Sequence, residues 1–233
     1  MSFRLTSLTA AAAALAIAAT SASATITFDV IVTADNQYGL YTGTETSADV
    51  YIGGAFNTLA SGIVSPESYN LTLPNDGYIY ITAWADRAVF QGLMARFDSS
   101  LGTFYAGQEG WEVTATGLSR PNGAPPVPES DLTTQILLAN AGMNPAGGWV
   151  EPHLGPLNSD LTIWPFMIGG GMGPDANWTW YDSGNDPSPN APYVNGFDHE
   201  EYLIFRLPVN VPTPGALALM GLAAPVALRR RRN

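Results

Sequence analysis

Short alternating segments separated by turn-forming residues constrain the fold of this chain more than any other feature. Residues 25–32 (TITFDVIV) and 201–207 (EYLIFRL) alternate their side chains between two faces, as half-buried β-strands require. Clusters of Gly, Pro and Asn interrupt the chain between such segments, and the sequence holds 24 Gly and 18 Pro. Because these residues favour turns over long helices, the pattern predicts a mainly β domain.

Further strand-like segments lie between these two, at residues 68–73, 78–84, 87–97, 111–116, 148–150, 161–167 and 177–181. Residues 36–54 are rich in Gly and Thr and suit short strands with turns. Residues 87–97 also fit a helical face, but Gly92 favours a strand. The sequence Pro-Asn-Asp-Gly at residues 74–77 predicts a tight hairpin, since Pro presets its own φ and Gly supplies a positive φ.

One segment, residues 130–142, has the pattern of a helix. Ser130 is suited to cap it, Leu132, Ile136 and Ala139 share one face, and Gly142 is suited to end it. Such a short helix is expected to pack on a sheet. We therefore expect residues 25–208 to form a single β-sandwich domain of jelly-roll type with one short helix.

The amino end of the chain differs in composition from this body. Arg4 precedes the alanine-rich apolar stretch of residues 8–19, and the small residues Ala22, Ser23 and Ala24 follow it. This order is typical of a secretory signal peptide. Residues 1–24 are therefore predicted to be removed on export, with an uncleaved N-terminal anchor as the alternative interpretation.

At the carboxyl end, residues 211–233 (VPTPGALALMGLAAPVALRRRRN) combine a proline-containing entry, an apolar run and an arginine cluster. A globular core cannot bury four adjacent positive charges, whereas a membrane accommodates both halves, with the arginines on the cytoplasmic side. As a helix, residues 215–228 would span only about 21 Å, less than the ~30 Å hydrocarbon core of a bilayer. The segment is thus predicted to be a marginal membrane anchor, weakened by Pro225.

This segment resembles the PEP-CTERM sorting tail of bacterial exported proteins. The residues that carry the resemblance are Val211, Pro212, Thr213, Pro214, Arg229, Arg230, Arg231 and Arg232. Thr213 stands where the family motif has Glu. The resemblance implies processing by an exosortase-type membrane enzyme, transient membrane anchoring, and placement at the cell surface or in an extracellular polysaccharide matrix. A plain C-terminal anchor and a soluble amphipathic helix are the alternatives for residues 209–233.

The charge and the cysteine content of the body limit the classes of partner with which it is compatible. Between the two ends, four arginines stand against 20 Asp and Glu, which gives a formal net charge of −16. Such a body repels nucleic acid and anionic lipid surfaces. It is compatible with divalent cations or neutral polysaccharide, and equally with solubility alone. The chain has no cysteine, so no disulfide can stabilise the exported domain.

Four aromatic residues are candidates for a glycan-binding platform, namely Trp164, Trp178, Trp180 and Tyr181, and Trp149 lies near them in sequence. Exposed indole rings offer flat apolar faces to sugar rings. Trp178 and Trp180 would share one face of a strand. Core packing is the alternative interpretation, because tryptophans bury large areas in protein interiors.

Acidic residues provide two further hypotheses. The candidate Ca²⁺ ligands form two groups, Asp182, Asn185 and Asp186, and Asp198, Glu200 and Glu201. Carboxylate and amide oxygens suit Ca²⁺, but neither group has the spacing of an EF-hand, and a solvated acidic surface is the alternative. Glu109 and Glu112 are one candidate carboxylate pair for glycoside hydrolysis, with ordinary surface acids as the alternative.

Sequence motifs of known enzyme classes are incomplete or missing. His199 and Glu200 begin like a zinc-protease helix, but Leu203 occupies the place of the second histidine. The chain has no G-x-S-x-G nucleophile motif and no lysine for a phosphate loop. The sequence thus predicts no catalytic residue and no cofactor other than Ca²⁺.

These observations predict a non-catalytic exported protein of the cell surface or extracellular matrix, with glycan binding as a candidate activity. A secreted glycan-active hydrolase with a carboxylate pair is the alternative. A third interpretation is a self-associating structural or adhesive surface protein. The three interpretations predict different features of the body. Glycan binding requires an exposed aromatic platform, hydrolysis requires two convergent carboxylates, and a structural or adhesive role requires neither.

Overall fold

A computed structural model describes residues 25–56, 65–85, 91–159, 171–183 and 201–209. These residues form a mainly β domain of two antiparallel sheets and one helix, which confirms the predicted β-sandwich. The predicted signal peptide and most of the predicted sorting tail lie outside the described residues. Within the described ranges, no helix is long and apolar enough to cross a membrane.

The first sheet has the strand order β4-β1-β6-β10-β9, and β7 also pairs with β6. Its strands are β1 (Thr25–Asp35), β4 (Glu67–Pro74), β6 (Gly92–Ser99), β7 (Gly102–Tyr105), β9 (His153–Leu157) and β10 (Asn177–Trp180). The period-two pattern at the start of β1 is confirmed, because Ile26, Phe28 and Val30 are buried whereas Thr27 and Asp29 are exposed.

The second sheet has the strand order β3-β2-β5-β11-β8. Its strands are β2 (Gln37–Thr44), β3 (Ser47–Ala55), β5 (Tyr78–Trp84), β8 (Glu112–Ala115) and β11 (Leu203–Pro208). The main core lies between the two sheets and includes Phe28, Leu40, Ile81, Phe97 and Phe205.

The outer face of the second sheet is also covered. A separate apolar cluster there joins Tyr41, Tyr80 and Trp84 to Leu132 and Ile136 of the helix α1 (Glu129–Asn140). Because both faces of this sheet are covered, β5 and β11 are buried along nearly their whole length. The helix therefore packs on the sheet as predicted.

The ends of α1 agree only partly with the sequence prediction. The N-cap is Pro128, with no capping hydrogen bond from its side chain, and the Ser130 hydroxyl bonds to Asp131 instead. Ser130 is therefore not the cap, because the helix begins before it. Gly142, with φ of +67°, follows the last turn and confirms the predicted stop.

The predicted hairpin at residues 74–77 is wrong. The two strands that flank it belong to different sheets, since β4 pairs with β1 and β5 pairs with β2 and β11. The turn therefore connects the two layers of the sandwich. Gly77 does not adopt a positive φ, although its N–H donates to the Pro74 carbonyl oxygen at 3.0 Å.

Candidate functional site

The predicted aromatic platform is not exposed at its two central members. Trp178 and Trp180 are 2% and 1% exposed. Trp178 packs with Met94, Met172 and Ala176 in a small cluster, whereas Trp180 belongs to the main core. Neither indole can therefore present a face to a sugar, and the core-packing interpretation describes both.

The remaining members of that group are placed differently. Tyr181 is half-buried against the main core, and Trp164 lies outside the described residues. The pairing of β10 with β9 shifts register between Asn177 and Thr179, where β9 contributes one residue more than β10. Trp178 and Trp180 therefore lie on one strand but pack in two different apolar clusters.

The acidic candidates do not converge where the structure describes them. Asp182 is exposed, and Asn185, Asp186, Asp198 and Glu200 lie outside the described residues. Within the described ranges, no three His, Asp or Glu side chains come close enough to hold a metal ion.

Glu201, from the second candidate group, has a different environment. It is only 2% exposed, and its carboxylate accepts hydrogen bonds from the Gly117 N–H and the Ser183 hydroxyl. The carboxylate therefore links the segment after β8 to Ser183 and to the start of β11. We interpret it as a structural acid.

Glu112, a member of the predicted carboxylate pair, is bound to an arginine. Its Oε2 accepts from Arg206 Nε at 2.7 Å, while Glu109 is exposed. The Glu112 carboxylate is therefore engaged in an ion pair with Arg206.

Arg206 itself lies within an aromatic stack on the outer face of the second sheet. Its guanidinium carbon is 3.8 Å from the ring centroid of Trp149 and 5.5 Å from that of Tyr78. Asn140 Oδ1 accepts from both Arg206 Nη1 at 3.1 Å and Trp149 Nε1 at 2.6 Å. Arg206 is therefore held by an ion pair, a hydrogen bond and two aromatic rings, and we interpret this stack as structural.

A cleft between α1 and the proline-rich loop 118–127 is the strongest candidate for a binding site. We call it the α1 cleft. Its volume is about 380 Å³, and it is lined by Leu118, Ser119, Arg120, Val127, Asp131, Thr134, Gln135 and Tyr202. This volume lies within the ~300–1,000 Å³ range of small-molecule sites.

The loop that forms one wall of the α1 cleft is fixed to the second sheet by hydrogen bonds. Gln37, which is fully buried, accepts from the Gly123 N–H at 2.9 Å. Tyr41 donates to the Val127 carbonyl oxygen at 2.8 Å. The wall is therefore held in place although prolines prevent regular strand pairing within it.

Arg120 is held over two aromatic rings beside the cleft. Its guanidinium carbon is 4.9 Å from the ring centroid of Trp84 and 5.6 Å from that of Tyr202. One terminal nitrogen donates to the Pro125 carbonyl oxygen. Cation–π contacts of this kind fix the planar guanidinium in one orientation.

Two buried polar atoms of cleft residues have no hydrogen-bond partner among the described residues, Gln135 Oε1 and Arg120 Nε. Gln135 is only 8% exposed, so its side chain is not freely solvated. Leaving a buried donor or acceptor unsatisfied costs about 1–3 kcal/mol. Both residues line the cleft, but these two atoms are closed to solvent and do not face its open side.

Tyr202 adds a neutral hydroxyl to the lining. Burial raises the pKa of Tyr202 to about 12; nearby Arg120 partly counteracts this and Asp131 adds to it. The phenol therefore stays protonated at physiological pH and can both donate and accept a hydrogen bond.

Sequence reasoning does not single out Arg120, Gln135 or Tyr202 as binding residues. One local signal was available, because Asp131 and Gln135 are four residues apart and share a helix face. Gln135 also adjoins the apolar stripe of α1, where a polar side chain requires a partner. Tyr202 could not be found in this way, since only the sheet brings it beside the helix.

Comparison with protein-family models, with curated proteins and with solved structures finds no match to this chain.

Proposed function

We propose that this chain is a non-catalytic exported protein, displayed at the cell surface or in an extracellular polysaccharide matrix. The observation that carries the proposal is the composition of residues 211–233, where an apolar run leads directly into Arg229–Arg232. The signal-peptide pattern of residues 1–24 supports export independently. In this proposal, an exosortase-type membrane enzyme processes the tail, which anchors the protein transiently.

The way the body ends is compatible with a separate tail. The last strand, β11, lies between β5 and β8 inside the second sheet. Beyond it, the Val209 N–H donates to the Gly77 carbonyl oxygen at 2.8 Å. Every described strand is therefore complete before residue 210, and removal of residues 215–233 would take away no strand of the described body.

The character of the body also supports a non-catalytic role. Its net charge of −16 and its β-sandwich suit a soluble exported domain beside neutral polysaccharide. The chain crosses from one sheet to the other several times along its length, and this supports the jelly-roll form of the sandwich. The engagement of Glu112 by Arg206 counts against the hydrolase built on Glu109 and Glu112.

Deletion of residues 215–233 tests the sorting proposal. We expect the truncated chain to move from the membrane and surface fraction to the periplasm or medium, because the membrane segment is gone. Cell fractionation with immunoblotting measures this shift. A matched variant replaces Arg229–Arg232 with Ser and should disturb orientation or processing while keeping the apolar run. Unchanged surface retention of the truncated chain would contradict the proposal.

A further inference from the structure

The free edge of strand β4 is the one long sheet edge that the described residues leave unprotected. In that part of the chain, β4 pairs only with β1, over eight consecutive residues without a register shift. No backbone hydrogen bond joins residues 67–73 to a described residue outside β1. A strand in this position presents a row of unpaired N–H and C=O groups to another chain.

The other sheet edges carry features that block such pairing. Side chains of α1 bond to the N–H groups of Ala48 and Tyr51 on β3. Strand β8 is bridged to Val150, β7 has only four residues, and β9 contains Pro156 and a register shift. Natural proteins use covered, short or proline-containing edges to prevent pairing between chains. Among the described strands, β4 is therefore the edge best suited to accept another strand.

Charge does not block the β4 edge either. Its only charged residue is Glu67, whose carboxylate accepts hydrogen bonds from the hydroxyls of Tyr38 and Tyr69 at 2.8 and 2.5 Å. Because Tyr38 belongs to β2, these bonds hold the carboxylate toward the second sheet. The exposed side chains of the strand are all neutral, namely Ser68, Asn70, Thr72 and Pro74.

Hydrogen bonds to β1 keep the edge strand ordered. Asn70 Nδ2 donates to Asp29 Oδ1 at 2.9 Å, and the hydroxyl oxygens of Thr72 and Thr27 lie 3.1 Å apart. Leu71 is buried in the main core beneath the strand. An edge that is ordered before it pairs loses little conformational entropy when a second strand binds.

Prolines at both ends of β4 define the segment that can pair. Pro66 precedes the strand and Pro74 ends it, and a proline has no N–H for a ladder. The segment between them, residues 67–73, is centred on Asn70. In antiparallel pairing about a two-fold axis, the same edge serves both copies. With the axis at Asn70, the whole segment pairs and both prolines stay outside the ladder.

This register creates compatible neighbours on the outer face of the sheet. Ser68 lies opposite Thr72, and Asn70 lies opposite its own copy. Hydroxyl and amide side chains in such positions stabilise adjacent strands by hydrogen bonding. Asp29 lies one strand further from the axis, so its two copies are about 14 Å apart, which exceeds the Debye length of about 8 Å at physiological ionic strength. Repulsion between these carboxylates is therefore largely screened.

We propose that the β4 edge pairs with the β4 edge of a second copy of this chain. The first sheets of the two bodies then form one continuous antiparallel sheet across a two-fold axis at Asn70. This inference goes beyond the proposed function, since it concerns the body alone and does not depend on how the tail is processed.

Cross-linking of the full chain in mild detergent tests the pairing and its register, because the chain contains no cysteine. Paired copies bring the two Cα atoms of residue 70 to about 4.5–5.5 Å, within the range for a disulfide. We expect Asn70→Cys to form covalent dimers under mild oxidation at least about tenfold faster than Ser68→Cys or Thr27→Cys. Both controls are exposed on the same face, but the copies of either residue lie about 13 Å or more apart. Non-reducing electrophoresis measures the rates.

The dissociation constant of the dimer provides a second readout that requires no cysteine. Sedimentation velocity over a concentration series measures it. Asn70→Lys places like charges opposite each other at the axis and should raise the dissociation constant about tenfold or more. Asn122→Lys makes the same substitution at an exposed loop position outside the first sheet and should leave the constant unchanged. Circular dichroism checks that both variants are folded.

Three results would overturn the inference. The first is a wild type that stays monomeric over the whole concentration series. The second is cross-linking of Ser68→Cys as fast as that of Asn70→Cys, since the proposed register separates the two copies of residue 68. The third is a dissociation constant that Asn70→Lys leaves unchanged, which would place the contact in another part of the chain, such as the apolar run 215–228.

Discussion

Arg206 shows how a single charged residue can be accommodated at a nearly buried position. Its guanidinium bonds to Glu112 of β8 and Asn140 of α1, and stacks on Trp149. Its side chain is only 9% exposed, whereas that of Glu112 is 39% exposed. Loss of the ion pair therefore affects the two residues differently. Glu112 regains water, whereas the charge of Arg206 stays nearly buried without a counter-ion.

Substitution of the two partners should reveal this difference. We expect Arg206→Lys to lower the free energy of unfolding by about 2 kcal/mol, because an ammonium cannot reproduce the planar stack and the directed bonds. Glu112→Gln retains an acceptor oxygen but leaves the nearly buried Arg206 guanidinium without its counter-ion, so it should cost more, about 3 kcal/mol. Urea denaturation of both variants measures the costs, and equal losses would contradict this account.

Helix α1 protects an exposed edge of the second sheet as well as burying apolar surface. Strand β3 is an edge strand, and edge N–H groups invite pairing with other chains. Thr133 accepts from the Ala48 N–H at 3.1 Å, and Glu129 accepts from the Tyr51 N–H at 3.3 Å. Asn140 donates to the Glu45 carbonyl oxygen at 2.9 Å in the turn between β2 and β3. The position of α1 therefore depends on side chains along its length.

The end of α1 should be sensitive to the residue at position 142. Gly142 has φ of +67°, and an added Cβ would lie 3.3 Å from the Gly147 carbonyl oxygen. We expect Gly142→Ala to lower the free energy of unfolding by about 1–2 kcal/mol, because alanine disfavours the left-handed region. Gly142→Asn introduces the same Cβ but tolerates that region better. It should cost less in thermal or urea denaturation, and the reverse order would refute the backbone explanation.

Across the whole molecule, buried tyrosines link the two sheets and the helix. Tyr38 donates to Glu67 Oε2 at 2.8 Å and lies 2.9 Å from the hydroxyl oxygen of Tyr69, which connects the second sheet to the first. Burial raises the pKa of Tyr38, Tyr41, Tyr69 and Tyr80 above the ordinary tyrosine value, and that of Tyr202 to about 12. The folded chain therefore retains phenolic protons at a pH where the unfolded chain loses them.

This difference predicts alkaline instability. Below about pH 10 these phenols are protonated in both states, and the stability that they contribute is fully present. As the pH rises above about 10, the unfolded state binds fewer protons than the folded state, so the free energy of unfolding falls. Urea denaturation between pH 8 and 11.5 measures the slope. Tyr202→Phe removes one of these groups and should make the slope shallower; a slope unchanged in that variant would contradict the assignment of Tyr202.

Local patterns in the sequence were sufficient for the fold class and several elements. The alternation of residues 25–32 predicted β1, and the spacing of Leu132, Ile136 and Ala139 predicted the buried face of α1. Gly142 marked the end of that helix. Each of these features depends on residues within a few positions of one another, so periodicity and backbone preference determine them.

Only the tertiary structure decided which strands pair, which aromatic residues are buried, and where the candidate site lies. The turn at residues 74–77 joins two sheets because β4 and β5 find partners far away in the chain, and no local preference encodes that choice. The same packing buries Trp178 and Trp180. It also brings Arg120, Gln135 and Tyr202 around one cleft, although Tyr202 is separated from the others by most of the second half of the body. Burial and convergence depend on long-range contacts, which sequence spacing alone does not specify.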